Sequence, residues 1–435
     1  MKKALGGIII LGLILLLGAP WYVGRQVETF YSQITDETLQ KNPTLELTDL
    51  NYQRGWFSST ITGSMSLKTM GQDLALPAEL RYKSVITHGP VFWGALSSKS
   101  PVGLALDHST LWIEPTEDEE VDLNAVLKEL PPFKMESLIG FDKTIDSVYS
   151  IEAYTKTIEG DKNPVNIAFA GLNGSGTFNW ATRDFNFKAE APSFTVTESD
   201  TEKLSIDSVI LSANKNQGDT SARYDISQVA ITSKDASIRF NLDDAYVAAQ
   251  GIEKAEVYNS TLELGFKSLK THELSYAPAS LQILLDNLDK ASMDALRTTI
   301  NEATANADEM GSNMYGMMIM GKVMELLPEI LKRNPKLTLA SLNLGTAKDE
   351  ALTATGYAAV VGEKAANLPS MALIMQALDA QFEAALPKAF LNTFMDLGKL
   401  MQLMDQGFLV SDGKYYRTQA TIKEGHVTIN GNTIM

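Results

Sequence analysis

Hydrophobic and polar positions along the chain change period three times. From Ala4 to Val23 there is no charged side chain, and Leu5 to Leu17 is almost wholly Leu, Ile and Gly. A helix needs about 20 apolar residues to cross a bilayer, so this run predicts a single membrane anchor over residues 1–24. Beyond it, Val27 to Gln40 reads as a short amphipathic helix. From Leu45 to about Leu274 the period is two: Thr60 to Leu67, Thr177 to Trp180, Phe185 to Phe187, Ser205 to Val209, Ser237 to Phe240 and Thr261 to Leu264 all alternate. Such alternation marks strands with one face on a core. Asn173-Gly174, Asn216 to Asp219 and Gln250-Gly251 supply turn chemistry between them. No helical crossovers intervene, so the pairing is expected to be antiparallel.

From residue 276 the period becomes helical. Leu281, Leu284, Leu285 and Leu288 share a helical face behind Pro278, and Met310, Met314, Met317, Gly321 and Met324 continue at three-four spacing up to Pro328. Residues 276–333 are therefore expected to be helical, 334–364 to return to strands, and 365–407 to be helical again. The last block carries the stripe Phe390, Phe394, Leu397, Met401 and Met404. Residues 408–435 close as a hairpin around Lys423-Glu424-Gly425, whose Gly suits a positive φ. The predicted class is α+β: a mainly antiparallel body over 25–275 with two helical blocks, preceded by one transmembrane helix. Residues 42–51 and 334–343 both read Asn-Pro-x-Leu-x-Leu-x-x-Leu-Asn. Either a shared helix-to-strand junction or two related halves would produce this echo.

Lys2 and Lys3 precede the apolar run, which places the N-terminus in the cytoplasm and the body outside. Pro20 is a poor residue at a signal cleavage site, and Trp21 and Tyr22 fall where an interfacial aromatic belt belongs. Uncleaved anchoring in a bacterial inner membrane, with a periplasmic body, is the expected placement.

Charge and chemistry narrow the classes further. The 435 residues carry a formal charge of −16 and no cysteine. Acidity argues against nucleic acid and against a polybasic grip on anionic lipid. Lack of cysteine removes disulfides, thiolate catalysis and lipoprotein acylation. His88, His108, His272 and His426 give no helical metal pair, and no Gly-x-Ser-x-Gly elbow is present. Gly171 to Gly176 lacks the lysine of a phosphate loop and reads as a hairpin loop. Glu117 to Glu120 lacks calcium-loop spacing and reads as a solvated loop. No catalytic residue, metal or cofactor is expected, and the chain is not expected to be an enzyme.

Two features point to contact surfaces. The methionine run that includes Met310, Met314, Met317 and Met324 fills a core, faces a partner or lipid, or binds Cu(I) through its thioethers. Arg54, Trp56 and Phe57, in Arg54-Gly55-Trp56-Phe57-Ser58-Ser59, either touch the bilayer interface or a partner, or fold back on the sheet.

The anchor running into Gly24-Arg25-Gln26-Val27-Glu28, the segment Tyr52 to Ser59 with its following strand, His88-Gly89-Pro90, and the closing Gly425 to Gly431 together resemble the YdgA family of bacterial membrane proteins, a group of unknown function. The resemblance spans nearly the whole length. It implies an inner-membrane, periplasm-facing protein and no catalytic residue. A looser architectural likeness links the chain to AsmA-type envelope proteins. The expected function is structural or binding, holding an envelope partner, lipid or a second copy as a homodimer or larger homo-oligomer. The alternatives are an envelope hydrolase with a scattered site and an assembly factor for envelope proteins.

Overall fold

The computed structural model describes residues 19–29, 45–67, 78–92, 102–115, 129–158, 163–199, 202–233, 239–272, 274–305, 307–346, 350–366 and 371–434. The fold is mostly antiparallel β-sheet with several helices. Two compact units divide it. The first holds Met1–Thr155, Ala168–Pro192 and Ile300–Gly316; the second holds Lys156–Ile167, Ser193–Thr299 and Met317–Met435.

In the first unit, strands β1 (Leu45–Arg54), β2 (Ser58–Leu67), β3 (Ala78–His88), β4 (Ala105–Pro115), β5 (Phe133–Ile139) and β6 (Thr144–Ile151) form an antiparallel meander. The chain continues through β7 (Tyr154–Ile158) and β8 (Val165–Phe169). It then adds β9 (Leu172–Asn179) beside β6, and β10 (Phe185–Ser199) beside β9.

Helix α1 (residues 19–29) lies on this sheet. Val23 and Val27, one helical turn apart, are buried against Ile61, Ile86 and Ala105, with Tyr52, Tyr82, Leu104 and Ile139 around them. Sequence pattern puts Val23 at the end of the membrane span; in the structure it belongs to the sheet's core. Residues 1–18 lie outside the described residues, and so do 30–40 of the predicted amphipathic helix and Glu117 to Glu120. Among the described residues no helix is long and apolar enough to cross a membrane.

The second unit is built on β11 (Glu202–Asn216), β12 (Asp219–Thr232), β13 (Arg239–Lys254), β14 (Val257–Phe266), β15 (Ser268–Thr271) and β16 (Ser275–Asp289). Two helices follow, α2 (Lys290–Ala305) and α3 (Ala307–Lys332), of which Ile300–Gly316 is counted with the first unit. The chain then returns as β17 (Lys336–Thr346) and β18 (Ala351–Val360), passes the short helix α4 (Gly362–Ala366) and a 3-10 segment at Met371–Ala377, and forms β19 (Leu378–Pro387). Helices α5 (Lys388–Phe394) and α6 (Leu397–Asp405) precede β20 (Val410–Asp412), β21 (Tyr415–Lys423), β22 (His426–Ile429) and β23 (Asn432–Thr433).

Antiparallel neighbours run β11, β12, β13, β14, β16, β17, β18, β19, β21, β22, β23. The helical excursion therefore leaves and rejoins between adjacent strands. Its base is tied down: Asp289 Oδ2 caps α2 by accepting from Ser292 N at 2.9 Å, and Asp289 Oδ1 accepts from Arg333 Nε at 3.1 Å. Asn334, in the left-handed region at φ 54°, accepts from Gly362 N at 2.8 Å through its side chain.

Four expectations are corrected. Residues 276–289 are strand β16, not helix. Leu281, Ile283 and Leu285 pair on one side with β14 and on the other with β17, and this double pairing outweighs the helical spacing of the leucines. Pro278 is tolerated because the register shifts between Tyr276 and Ala279, a place where no ladder hydrogen bond is required of it. Residues 378–387 are strand β19, within the block expected to be helical. Asn173-Gly174 and Gln250-Gly251 are interior to β9 and β13 and are not turns. The glycine-rich stretch Gly171 to Gly176 is accordingly no hairpin loop, since all of it after Gly171 belongs to β9.

Gly174 has its own reason to lack a side chain: an added Cβ would lie 2.1 Å from the Tyr149 ring, which covers it. Two-residue turns do occur at Gln217-Gly218, Glu424-Gly425 and Asn430-Gly431, all with positive φ at both positions. That is the geometry whose twist matches right-handed strands. The two Asn-Pro echoes lead into alike hairpins. The β1–β2 register shifts between Thr48 and Asn51, and that of β17–β18 between Leu339 and Leu342.

Candidate functional site

The second sheet has two unlike faces. Rows of directly opposed residues fix them. One row runs Leu211, Tyr224, Val247, Leu264, Leu281, Leu342 across β11 to β17. A second runs Leu262, Ile283, Leu339, Gly356, Phe382, Ala420, Ile429. A third runs Leu285, Leu337, Ala358, Ala380, Ile422, Val427. The bulge at Ala340-Ser341 keeps Leu337, Leu339, Leu342 and Leu344 on this face although their spacing in sequence breaks strict alternation.

The opposite face is polar. Gln282 Nε2 donates to Glu263 Oε1 at 2.7 Å. Arg223 forks onto Asp225 and lies over the Tyr246 ring. Lys336 covers Tyr357, whose hydroxyl donates to Asp379 at 3.2 Å.

The apolar face is not closed. Leu211, Tyr224, Leu262, Leu264 and Leu285 are exposed, Val247 and Leu337 each at 47% and Phe382 at 41%. Between β17 and β21 it forms an open groove of about 260 Å³, floored by Leu337, Leu339, Ala358, Ala380, Phe382 and Ile422. At one end of these strands α5 and α6 close over the sheet, where Leu400, Leu409 and Tyr416 are buried with Leu386, Leu391 and Met395. The expected stripe on these helices is turned the other way in part: Phe394, Leu397 and Met401 are exposed, while Met404 packs inward. The chain breaks between α5 and α6 at Asp396, which caps α6 through Lys399 N, and that break resets the helical face.

Met314, Met317 and Met324 are exposed, Met317 at 75%, together with Met320. Core filling does not describe them. The side chain of Met310 lies outside the described residues.

In the first unit, Gly55 N donates to Ser58 O at 2.8 Å in the β1–β2 turn. The turn holds Trp56 and Phe57 out, both 53% exposed. Trp21 and Tyr22 of α1 are exposed as well. The Trp21 and Trp56 rings are 6.5 Å apart, and Arg25 lies over Trp21. Arg54 is not part of this aromatic surface chemistry in any independent way, since its guanidinium pairs with Glu28 at 2.6 Å.

Beneath this turn lies a buried polar chain that sequence reasoning missed. Tyr52 donates its hydroxyl to Ser59 Oγ at 2.8 Å, Ser59 Oγ is 2.9 Å from His88 Nε2, and His88 Nδ1 is 3.2 Å from Trp56 O. Burial pushes the His88 imidazole below its ordinary pKa, partly offset by its backbone partners. A serine beside an imidazole is the composition of a nucleophile and its base. Here Ser59 and His88 are only 1% and 4% exposed, so no substrate reaches them. Gly24 closes the lid: a Cβ there would stand 2.5 Å from the imidazole. The imidazole lies directly against α1 at Gly24. One strand row away, Asp107 accepts from the hydroxyls of Ser84 and Ser109, and burial pushes its carboxyl above the ordinary range. The signal for this network was present as serines at inward positions of alternating strands.

The family model for DUF945, a bacterial protein of unknown function, matches residues 1–435. The chain belongs to the DUF945 family. YdgA is a member of that family, so the likeness seen in the residues holds. Comparisons with curated proteins and with solved structures gave no match. DUF945 membership supplies no activity, and the geometry must carry the functional reading.

Proposed function

We propose that this DUF945 protein is an envelope protein, anchored by its N-terminal apolar run, whose second sheet holds lipid acyl chains on its exposed apolar face. One observation carries the reading: aliphatic side chains aligned in register from β11 to β21, left open to solvent, opposite a polar face. Large exposed apolar patches mark sites of interaction. A hydrocarbon chain needs no hydrogen-bond partner, and the groove floored by Leu337, Ala358, Ala380 and Ile422 supplies aliphatic contact almost alone. Gly356 suits this role, because Phe382 lies across it and a Cβ would stand 3.1 Å from the ring.

The test uses the full chain in membranes together with a phospholipid bearing a photoactivated diazirine midway along one acyl chain. Adducts are expected on peptides of β14, β16, β17 and β19. They should fall strongly in a Leu337→Asp/Phe382→Asp variant and persist in Gln381→Asp, which alters the polar face. Adducts confined to the N-terminal apolar run would overturn the reading.

A further inference from the structure

The turns at one end of the first sheet all present apolar side chains to solvent. Trp56 and Phe57 sit in the β1–β2 turn. Val91 and Val102, bridged to each other, stand where β3 leaves and β4 begins. Phe141, 58% exposed, tips the β5–β6 turn. The register puts these turns on one end: Ser58 opposes Thr87, His88 opposes Ala105, Ala105 opposes Ile139, and Ile139 opposes Ile145. Such a row is not needed for folding, because turns are ordinarily polar and these tips contribute nothing to the buried core.

We propose that this end of the first sheet is seated in the headgroup region of a phospholipid bilayer, as a second membrane contact beyond the anchor. Two further observations select a bilayer as the occupant. The first is continuity: the Trp21 ring at the start of α1 lies 6.5 Å from the Trp56 ring and tilted to it, and the residues preceding α1 in the sequence are the apolar run 4–18. A helix crossing the membrane would leave it at these tips. The second is composition. Tryptophan and cationic residues concentrate at membrane interfaces, and this end carries Arg25 over Trp21 and Arg183 over Trp180, the latter in the β9–β10 turn. The inference rests on the reading of residues 4–18 as an anchor, and Phe141 is the discriminating site. It lies several strands along the sheet from the β1–β2 turn that carries Trp56, where an anchor on a flexible stalk would not hold it at the membrane.

The chain has no cysteine, so Phe141→Cys and Glu114→Cys each give one labelling site for an environment-sensitive nitrobenzoxadiazole probe. Glu114 is exposed and near the other end of β4. The labelled full chains are reconstituted in phosphatidylethanolamine–phosphatidylglycerol vesicles and floated on a density gradient. Vesicles containing acyl-brominated phosphatidylcholine are then compared with vesicles lacking it. The probe at 141 should brighten, shift to the blue and lose intensity to brominated lipid, while the probe at 114 should do none of these. Floated chains in which both probes behave alike would overturn the seating and leave the anchor standing. Chains that do not float would overturn the anchor reading and the seating together.

Discussion

The strands of the two units are built on opposite plans. The first sheet buries polar groups: Ser59, Ser84, Ser109, Ser137 and His88 are all inside, joined by hydrogen bonds, with Ser137 Oγ 2.7 Å from Ser147 Oγ. The second sheet exposes apolar ones, from Leu211 on β11 to Phe382 on β19. Burying a hydroxyl costs free energy unless it is paired, and here each named hydroxyl has a partner or an inward neighbour on the same face. Exposed leucines scattered singly need no explanation; leucines aligned strand after strand do. The difference teaches that inward polarity in the first sheet completes a structure, whereas outward apolarity in the second leaves one to be completed by another molecule.

The largest effect should come from deleting packing where the sheet is finished. Ile61 is fully buried between α1 and the sheet. Ile61→Ala should cost about 2–5 kcal/mol through lost transfer energy and a cavity. Leu337→Ala, on the open face, should cost about 1 kcal/mol or less, since half the side chain is already in water and no cavity forms. All five tryptophans fall in the first unit, so urea unfolding followed by tryptophan emission reads that unit. Hydrogen exchange of β17 peptides reads the second. Equal costs at the two positions would break the comparison.

Next in size is a substitution that adds volume where the first sheet has none to spare. Gly174→Ala must displace the Tyr149 ring, which stacks on Phe133 and Phe187 at 5.9 and 5.3 Å and donates to Lys188 O at 2.5 Å. A loss of about 1–3 kcal/mol is expected, read by the same emission change. Gly321→Ala on α3 meets nothing within 4 Å. It should instead raise stability by up to about 1 kcal/mol, because alanine favours a helix. A neutral Gly174→Ala would show that the first sheet is less tightly closed than its buried serines imply.

The sequence made most strands of both designs legible and hid what each does with its faces. Alternation gave the strands, and the positive-φ pairs at Glu424-Gly425 and Asn430-Gly431 were visible as turn chemistry. Period could not separate β16 from a helix, because Leu281, Leu284, Leu285 and Leu288 satisfy helical spacing while Leu281, Ile283 and Leu285 satisfy the strand. Only the pairing partners decide between them. For β19, Leu378, Ala380, Phe382, Ala384 and Leu386 alternate with Asp379, Gln381 and Glu383, and a period of two was there to be read. The turn at Trp56 and Phe57 and the spacing of the methionines left surface and core readings both open. The open face left no mark at all. An exposed leucine and a buried one leave the same mark in a sequence, and register carried from β11 to β22, bulge at Ala340-Ser341 included, is what aligns them. The buried Ser59–His88 pair was hidden for a like reason: its members are 29 residues apart and meet only through the β2–β3 register.

The smallest expected effects are in pH dependence, where the first sheet carries two buried titrating groups of opposite sign. His88 has a folded pKa below its ordinary value, so the unfolded chain binds more protons as pH falls through about 6.5. Its contribution to stability is complete above that value and declines as pH drops toward the lowered folded pKa. Asp107 has a folded pKa above its ordinary value, so the folded chain binds the extra proton. Its contribution is favourable in acid and is lost as pH rises from the ordinary carboxyl value through the raised one. Tryptophan-monitored unfolding between pH 4 and 8, in about half-unit steps, should therefore give a curve whose acid limb flattens in His88→Gln and steepens in Asp107→Asn. The second unit has no counterpart on its open face, where the aligned positions are aliphatic or aromatic. Hydrogen exchange of the β17 and β19 peptides, corrected for the intrinsic pH dependence of exchange, should give opening free energies that neither variant changes at any pH in the same range. If those peptides titrate in step with the tryptophans, the two sheets open as one cooperative unit and the contrast between a finished and an unfinished sheet fails at the level of stability.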